Sequence, residues 1–432
     1  GSADYRAAAI RANAQAPDAP LSLYVHIPFC ASPCFYCGCT KLITRRQQPA
    51  YEYLGRLERE IALQGGLVPS GRIVEQLHFG GGTPTYLAPA QLRRLLDALG
   101  RHFSLSTSAR REFSIEIDPR TLTPGQMQEL AALGFNRASF GIQDFDPAVQ
   151  RAVNREQSPE MVAALMESAR AAGLGSLSVD LIYGLPLQTP ESFARTLAQV
   201  VALRPDRISA YSYAHLPERF KAQRQILAAQ LPDAAAKLAL LRLTTERLLD
   251  AGYVHIGMDH FALPQDELAL ALEAGSLQRN FQGYSTRGGL DLLGLGMSAI
   301  GRVADVYSQN ARELPAYNAA LDAGQLPVQR GIRLSADDLL RRDVIAGLMC
   351  GGQLGYRPIE ARHGVDFRDY FAAELRRLAQ FEEDGLVALR PQGLQVTPVG
   401  RYLLRAIAMV FDAHLPGESV QVEAPRRFSR VI

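Results

Sequence analysis

From residue 21 to about residue 251 the chain alternates short apolar runs with longer amphipathic stretches. Residues 21–27 form a nearly continuous apolar run and predict a strand. Residues 51–63 place Tyr53, Leu54, Leu57 and Ile61 at helical spacing, with charges expected on the opposite face. The pattern then repeats. Strands are predicted at 74–79, 113–117, 137–142, 177–182 and 207–212. Helices follow at 89–103, 124–133, 159–172, 190–203 and 232–251. Their starts carry Pro at the first turn, and Ser158 is a plausible N-cap. Gly134 and Gly173 mark helix ends.

Strand and helix in strict alternation with short connections imply an α/β fold, a parallel sheet with helices outside it. Six repeats in about 190 residues suit a partial (β/α)6 TIM-like barrel rather than the eight-fold one. Loops leaving the strand C-termini then face a common mouth, where chemistry should collect. From about residue 265 the alternation fades, and 283–301 is rich in glycine. Beyond residue 335 helices dominate, at 336–349 and 367–383. A hairpin at 386–397 and a last helix at 399–411 follow. This suggests a mainly helical, winged-helix-like C-terminal domain. The expected division is an arm at 1–20, a barrel with its extension at 21–325, and the helical domain at 326–432. Residues 3–16 read as a frayed or docked helix, and Gly1-Ser2 as a vector remnant.

Composition narrows the classes. Apolar content of 47% and 21% charge are ordinary for a soluble globular protein. No apolar run reaches the length of a membrane span. A net charge of +2 without like-charge blocks argues against a nucleic-acid partner, in spite of the winged-helix shape.

Cysteine usage is more telling. Four of the five cysteines fall in Cys30-Ala-Ser-Pro-Cys-Phe-Tyr-Cys-Gly-Cys39, on the loop leaving the first strand. That is no disulfide framework in a chain this long. It points to a reducing, cytoplasmic setting and a metal or redox site. Cys30, Cys34 and Cys37, spaced C-x3-C-x2-C, can reach three corners of a 4Fe–4S cube and leave the fourth iron open to a small molecule. Phe29, Phe35 and Tyr36 would shield it. A structural zinc site remains open on the cysteines alone, although zinc usually draws ligand pairs from separated segments. Cys39 reads as a free thiol or a thiolate near substrate, and Cys350 as a packed core residue.

The predicted strand ends carry the remaining candidates. Gly80, Gly81 and Gly82 let a bulky ligand approach the backbone. Glu116, Gln143 and Asp180 end or occupy successive strands, where a carboxylate is costly to bury unless paired or ligated. Arg155 could pair with Glu116 or Asp180, or grip a ligand carboxylate with its planar fork. His26 lies on the first strand beside the cysteines, and His260 follows a strand at 253–256.

C-x3-C-x-aromatic-C is the signature of radical S-adenosylmethionine (SAM) enzymes. The wider string Tyr24-Val-His-Ile-Pro-Phe-Cys30, with Cys39 two residues past the third cysteine, resembles the oxygen-independent coproporphyrinogen III oxidases. So do Gly80-Gly-Gly-Thr-Pro-Thr85, Gly141-Ile-Gln-Asp-Phe145, Val153-Asn-Arg-Glu156, Val179-Asp-Leu-Ile-Tyr-Gly-Leu-Pro186, Tyr213-Ala-His-Leu-Pro217, Gly257-Met-Asp-His-Phe261, Asn280-Phe-Gln-Gly-Tyr284 and the tail Phe428-Ser-Arg-Val-Ile432. The resemblance runs from residue 20 to the end. The family's N-terminal extension, with an Arg-Tyr-Thr-x-Tyr-Pro-like string, is not in this sequence.

The resemblance implies a 4Fe–4S cluster on Cys30, Cys34 and Cys37, and two SAM molecules. One would meet Tyr24, Gly81, Glu116 and Ile300. The other would meet Tyr36, Gly82, Thr83, Gln143, Arg155, Asp180 and Ala214. Cys39, His26 and His260 are the catalytic candidates. The implied substrate is coproporphyrinogen III, with electrons from a flavodoxin- or ferredoxin-type donor, in a monomeric protein. Its four carboxylates call for cations, for which Lys41, Arg45, Arg46, Arg219, Lys221 and Arg224 are candidates. Two rivals compete. A related radical SAM subgroup traffics haem but lacks a Cys39 counterpart and the 257–261 string. A non-enzymatic metal-binding module would need no ligand-shaped mouth.

Overall fold

The computed structural model describes residues 1–415, so the tail string at 428–432 lies outside the described residues. The chain divides into two compact units. One holds residues 1–213, 217–240 and 290–333; the other holds 214–216, 241–289 and 334 onward.

The first unit contains the predicted repeat. Strands β1 (Leu21–Ile27), β2 (Ile73–Gly81), β3 (Glu112–Ile117), β4 (Arg137–Gln143), β5 (Ser176–Tyr183) and β6 (Arg207–Ser212) pair in sequence, all parallel. Both faces of β1 are covered: Leu21, Leu23, Val25 and Ile27 are fully buried, and Ser22 and His26 nearly so. That is why the run reads as continuous rather than alternating. Helices Gln48–Gly65, Pro89–His102, Pro124–Ala132, Pro159–Ala171 and Pro190–Leu203 fall where expected. Ser158 caps its helix by accepting the Met161 N–H at 3.2 Å. Helix Ser2–Gln15 is docked rather than frayed, burying Tyr5, Ala8, Ala9 and Ala12.

Two expectations need correction. The glycine-rich stretch after residue 283 extends the six expected parallel strands. It supplies β7 (Asp291–Leu295), a seventh parallel strand on the other edge of β1. Strands β8 (Ile300–Val303), β9 (Val306–Asn310) and β10 (Val328–Arg333) continue from it antiparallel, giving the order β6-β5-β4-β3-β2-β1-β7-β8-β9-β10. Nor do all charges of helix Gln48–Gly65 face outward. Glu60 shares the buried face with Tyr53, Leu57 and Gln64 and is fully buried.

The second unit has the winged shape. Helix Ala336–Gly351 precedes a three-stranded antiparallel sheet of Gln353–Gly355, Gly393–Val396 and Val387–Arg390. Its core gathers Val344, Leu348, Phe367, Phe371, Leu378, Ile407 and Phe411. The single helix expected at 367–383 breaks at Phe371, whose ring is fully buried in that core, into Phe367–Tyr370 and Ala372–Glu383. An unexpected helix, Tyr356–His363, precedes it. Among the described residues no helix is long and apolar enough to cross a membrane.

Candidate active site

The cysteine loop is fastened at both flanks. Leu42 N–H donates to Pro28 O at 2.6 Å and Thr44 N–H to Cys30 O at 3.0 Å. On the other side Phe35 N–H donates to Val153 O, and the Asn154 side chain to Pro33 O at 2.7 Å. Phe29 is fully buried against Tyr53 and Tyr86. Phe35 and Tyr36 pack on Val149, Val153 and Leu185.

Each of the three spaced cysteines faces hydrogen-bonding groups. Cys30 Sγ lies 3.4 Å from Thr83 Oγ1, and Cys37 Sγ accepts the Cys39 N–H at 3.5 Å. Buried Cys34 accepts from two guanidiniums, Arg120 and Arg155, each at 3.5 Å. Burial pushes the Cys30 thiol up to about 11. The hydrogen bond from the Cys39 thiol, with Lys41 nearby, pulls Cys37 down. Metal coordination deprotonates a thiol outright, and polarised N–H and O–H groups around the sulfurs suit thiolates. Among the described residues no three His, Cys, Asp or Glu side chains converge as ligands of one ion. A cubane gives each thiolate its own iron, so its ligands need not converge on one point. The donor set therefore fits a cluster on Cys30, Cys34 and Cys37. Cys39 is exposed on the same loop.

The glycine run ending β2 lets three parts of the site meet. A Cβ on Gly80 would come within 2.7 Å of Glu116 Oε1, and one on Gly82 within 2.8 Å of the Pro28 carbonyl. Glu116 is held from two sides: Gly81 N–H donates to Oε2 at 3.2 Å, and His78 Nε2 lies 3.0 Å from Oε1. A carboxylate only accepts, so His78 donates to it through Nε2, and its Nδ1 lies 2.6 Å from the Ser114 hydroxyl. Tyr24 stacks on His78, ring centroids 5.8 Å apart. The Tyr24 hydroxyl reaches His26 Nδ1 at 3.0 Å, while His26 Nε2 donates to Thr40 O at 3.0 Å. Burial lowers the His26 pKa, so its imidazole is neutral with the proton on Nε2.

Arg155 pairs with neither Glu116 nor Asp180. It binds Asp118 Oδ2 at 3.0 Å and Gly141 O, and the same guanidinium reaches Cys34 Sγ. Arg120 donates to both Asp118 oxygens, to Oδ1 at 2.9 Å and to Oδ2 at 2.7 Å, sharing Oδ2 with Arg155. Burial works against the Asp118 anion, but the two guanidiniums hold its carboxyl below the usual range. Asp180 accepts from Ser139 at 2.8 Å. Gln143 sits at φ 68°, a left-handed conformation uncommon for a side chain of its kind and typical of functional strand ends. Ile300 opens β8, and β7 beside it is registered to β1 with Gly294 opposite Tyr24. Ala214 and His260 belong to the second unit.

Sequence reasoning missed His78, Asp118 and Arg120. His78 lies inside the strand predicted at 74–79 and Asp118 just past the one predicted at 113–117, and no spacing singles out either. Only the sheet register, which sets His78 opposite Ser114 and Glu116 one step on, reveals the cluster of side chains.

The Radical SAM superfamily model matches residues 24–200, and that of the HemN C-terminal domain matches 334–403. The oxygen-independent coproporphyrinogen III oxidase of Pseudomonas aeruginosa is 52% identical over 413 residues, covering 96% of this chain and 89% of that protein. That of Escherichia coli K12 is 51% identical, with 98% and 91% covered. The chain belongs to the oxygen-independent coproporphyrinogen III oxidase family. A solved structure titled coproporphyrinogen III oxidase (HemN) from Escherichia coli, a radical SAM enzyme, superposes with a TM-score of 0.91 at 51% identity, covering 94% of this chain and 93% of that one. As a member of this family the chain is a radical SAM oxidoreductase whose cofactors are a 4Fe–4S cluster and SAM.

Proposed function

We propose that the protein converts two propionate side chains of coproporphyrinogen III to vinyl groups without oxygen, yielding protoporphyrinogen IX. The observation that carries this reading is the three-thiol loop set against the Gly80–Gly82 turn and Glu116, in a chain half identical to named coproporphyrinogen III oxidases. A cluster and SAM held here would supply a 5′-deoxyadenosyl radical for hydrogen abstraction at a propionate β-carbon, with loss of CO2 and transfer of one electron to an external one-electron acceptor completing the vinyl group.

The chain's own contribution is binding, orientation and exclusion of water. Cys30, Cys34 and Cys37 hold the cluster. Tyr24, Gly81, Glu116 and Ile300 receive one SAM, with His78 fixing the Glu116 carboxylate. Tyr36, Gly82, Thr83, Gln143, Arg155, Asp180 and Ala214 receive a second. Arg155 keeps Asp118 as its counter-ion while it does so. Neutral His26, its proton held on Nε2 by Thr40, orders Tyr24 and the cluster loop. Cys39 and His260 act on the substrate. A flavodoxin- or ferredoxin-type protein supplies the electron.

The test is an anaerobic assay of the reconstituted protein with reductant, SAM and coproporphyrinogen III. Protoporphyrinogen IX should appear with two CO2 released per molecule. SAM cleavage with an untouched porphyrinogen would move the reading to the haem-trafficking subgroup.

A further inference from the structure

In the second unit, strands Gln278–Asn280 and Gly283–Ser285 form a hairpin that pairs Arg279 with Tyr284. Tyr284 is rigidly placed. Its ring is buried, its hydroxyl donates to Met349 O at 2.8 Å, and the His260 ring meets it edge-on at 5.2 Å. The Arg279 guanidinium lies over the ring, 5.7 Å from its centroid. Its Nε is shielded from solvent and has no hydrogen-bond partner. A second guanidinium, Arg401, bears electrostatically on Tyr284 and on His255. Among the described residues, neither the Arg279 nor the Arg401 side chain makes a hydrogen bond or ion pair. The nearby carboxylate, Asp259, is bonded instead to His260 Nδ1 at 2.6 Å.

A shielded donor left unsatisfied is a net cost in a folded protein. An arginine fixed against an aromatic face, with its planar fork unmatched, suits a carboxylate, which takes two parallel N–H bonds. Burial of an unpaired Arg279 Nε, in the positive field that Arg401 adds at Tyr284, therefore marks a place that an external acceptor completes.

We propose that Arg279, assisted by Arg401 and oriented by Tyr284, is a carboxylate-binding site that takes a propionate of the tetrapyrrole substrate. The proposal rests on the coproporphyrinogen reading above. It assigns the role to cations other than the exposed lysines and arginines near the cysteine loop.

The test is anaerobic equilibrium binding of coproporphyrinogen III to the reconstituted holoprotein without reductant, so that no turnover occurs. A tetrapyrrole bearing alkyl groups in place of the carboxylates serves as control. Arg279→Gln should weaken coproporphyrinogen binding about tenfold or more, the range of a lost charge-assisted pair. Arg279→Lys should recover part of it, and Arg401→Gln should weaken it less. The alkyl control should bind parent and variants alike. The change in the cluster's electron paramagnetic resonance (EPR) spectrum on adding SAM should persist in all variants. Parent-like binding by both Arg279→Gln and Arg279→Lys would overturn the proposal while leaving the activity standing. Should Arg279→Gln fail to fold, parent-like binding by Arg279→Lys and Arg401→Gln together would overturn it equally. Failure of the parent itself to bind coproporphyrinogen would instead remove the functional reading.

Discussion

Two glutamates of the first unit, Glu60 and Glu116, are both ringed by hydrogen-bond donors, yet they serve opposite ends. Glu60 is fully buried and closed off: it accepts from Tyr317 at 2.6 Å, Gly296 N–H at 2.7 Å and Asn310 at 2.6 Å. Glu116 is 42% exposed and accepts from His78 and Gly81, at a strand end beside three glycines. His26 joins the two neighbourhoods. Its carbonyl accepts from Tyr53 at 2.8 Å, whose own hydroxyl oxygen accepts from Met297 N–H, while its ring meets Tyr24 in the site. A structural carboxylate carries its complete set of partners with it. A functional one keeps an open side toward a ligand. The same contrast separates the closed ion pairs of the winged unit, such as Arg341 with Glu374 at 2.8 Å, from the unmatched Arg279.

The contrast can be broken by substitution, and the largest effect is expected at the open end. Cys34→Ser should remove the cluster and with it SAM cleavage, read as loss of bound iron and sulfide, while the thermal unfolding of the metal-free protein stays close to the parent. A parent-like iron content would deny Cys34 a ligand role.

Glu60→Ala should do the reverse. It leaves three buried donors without an acceptor and should cost about 2–4 kcal/mol in denaturant unfolding. The cluster spectrum per folded molecule should not change. Burial raises the Glu60 carboxyl from 4.5 to about 7. Between those values the folded protein holds more protons than the unfolded chain. Its contribution is therefore complete below about pH 4.5 and lost as pH rises through 7, by up to about 3 kcal/mol. Glu60→Gln should lack that decline, and an unchanged pH profile would contradict the assignment.

A smaller effect is expected at Arg120. Replacing it with Met removes a positive charge and an N–H···S contact from Cys34. The cluster's midpoint potential should fall, on the order of 50 mV. An unaltered potential would show that the contact does not reach the cluster. The smallest effect, about 1 kcal/mol of stability with no change in turnover, is expected for Ser158→Ala at a helix cap remote from the site.

The repeat from β1 to β6 could be read from periodicity because β1 is covered on both faces, β3, β4 and β5 bury alternate residues, and each helix has one apolar stripe. β7 could not: Asp291-Leu-Leu-Gly-Leu295 is short, holds a glycine and lies between Gly288-Gly289 and Gly296, and pairing with β1 and β8 is what makes it a strand. Glu60 was misread because a charge on an apolar stripe looks like an edge residue until Asn310 and Tyr317 arrive from some 250 residues away. In the site, residue types at strand ends marked Glu116, Gln143 and Asp180 as candidates. Their partners were not legible. Arg155 chose Asp118, and His78 joined Glu116, through sheet register that no local pattern encodes.

The central claim is that the cysteine loop divides three and one. Its most direct test is iron analysis and EPR spectroscopy of Cys39→Ser beside the parent, each with and without SAM. The account predicts about four iron per chain in both, the same spectral change on adding SAM, and no protoporphyrinogen from the variant. Loss of the cluster in Cys39→Ser would make Cys39 a ligand and contradict the division.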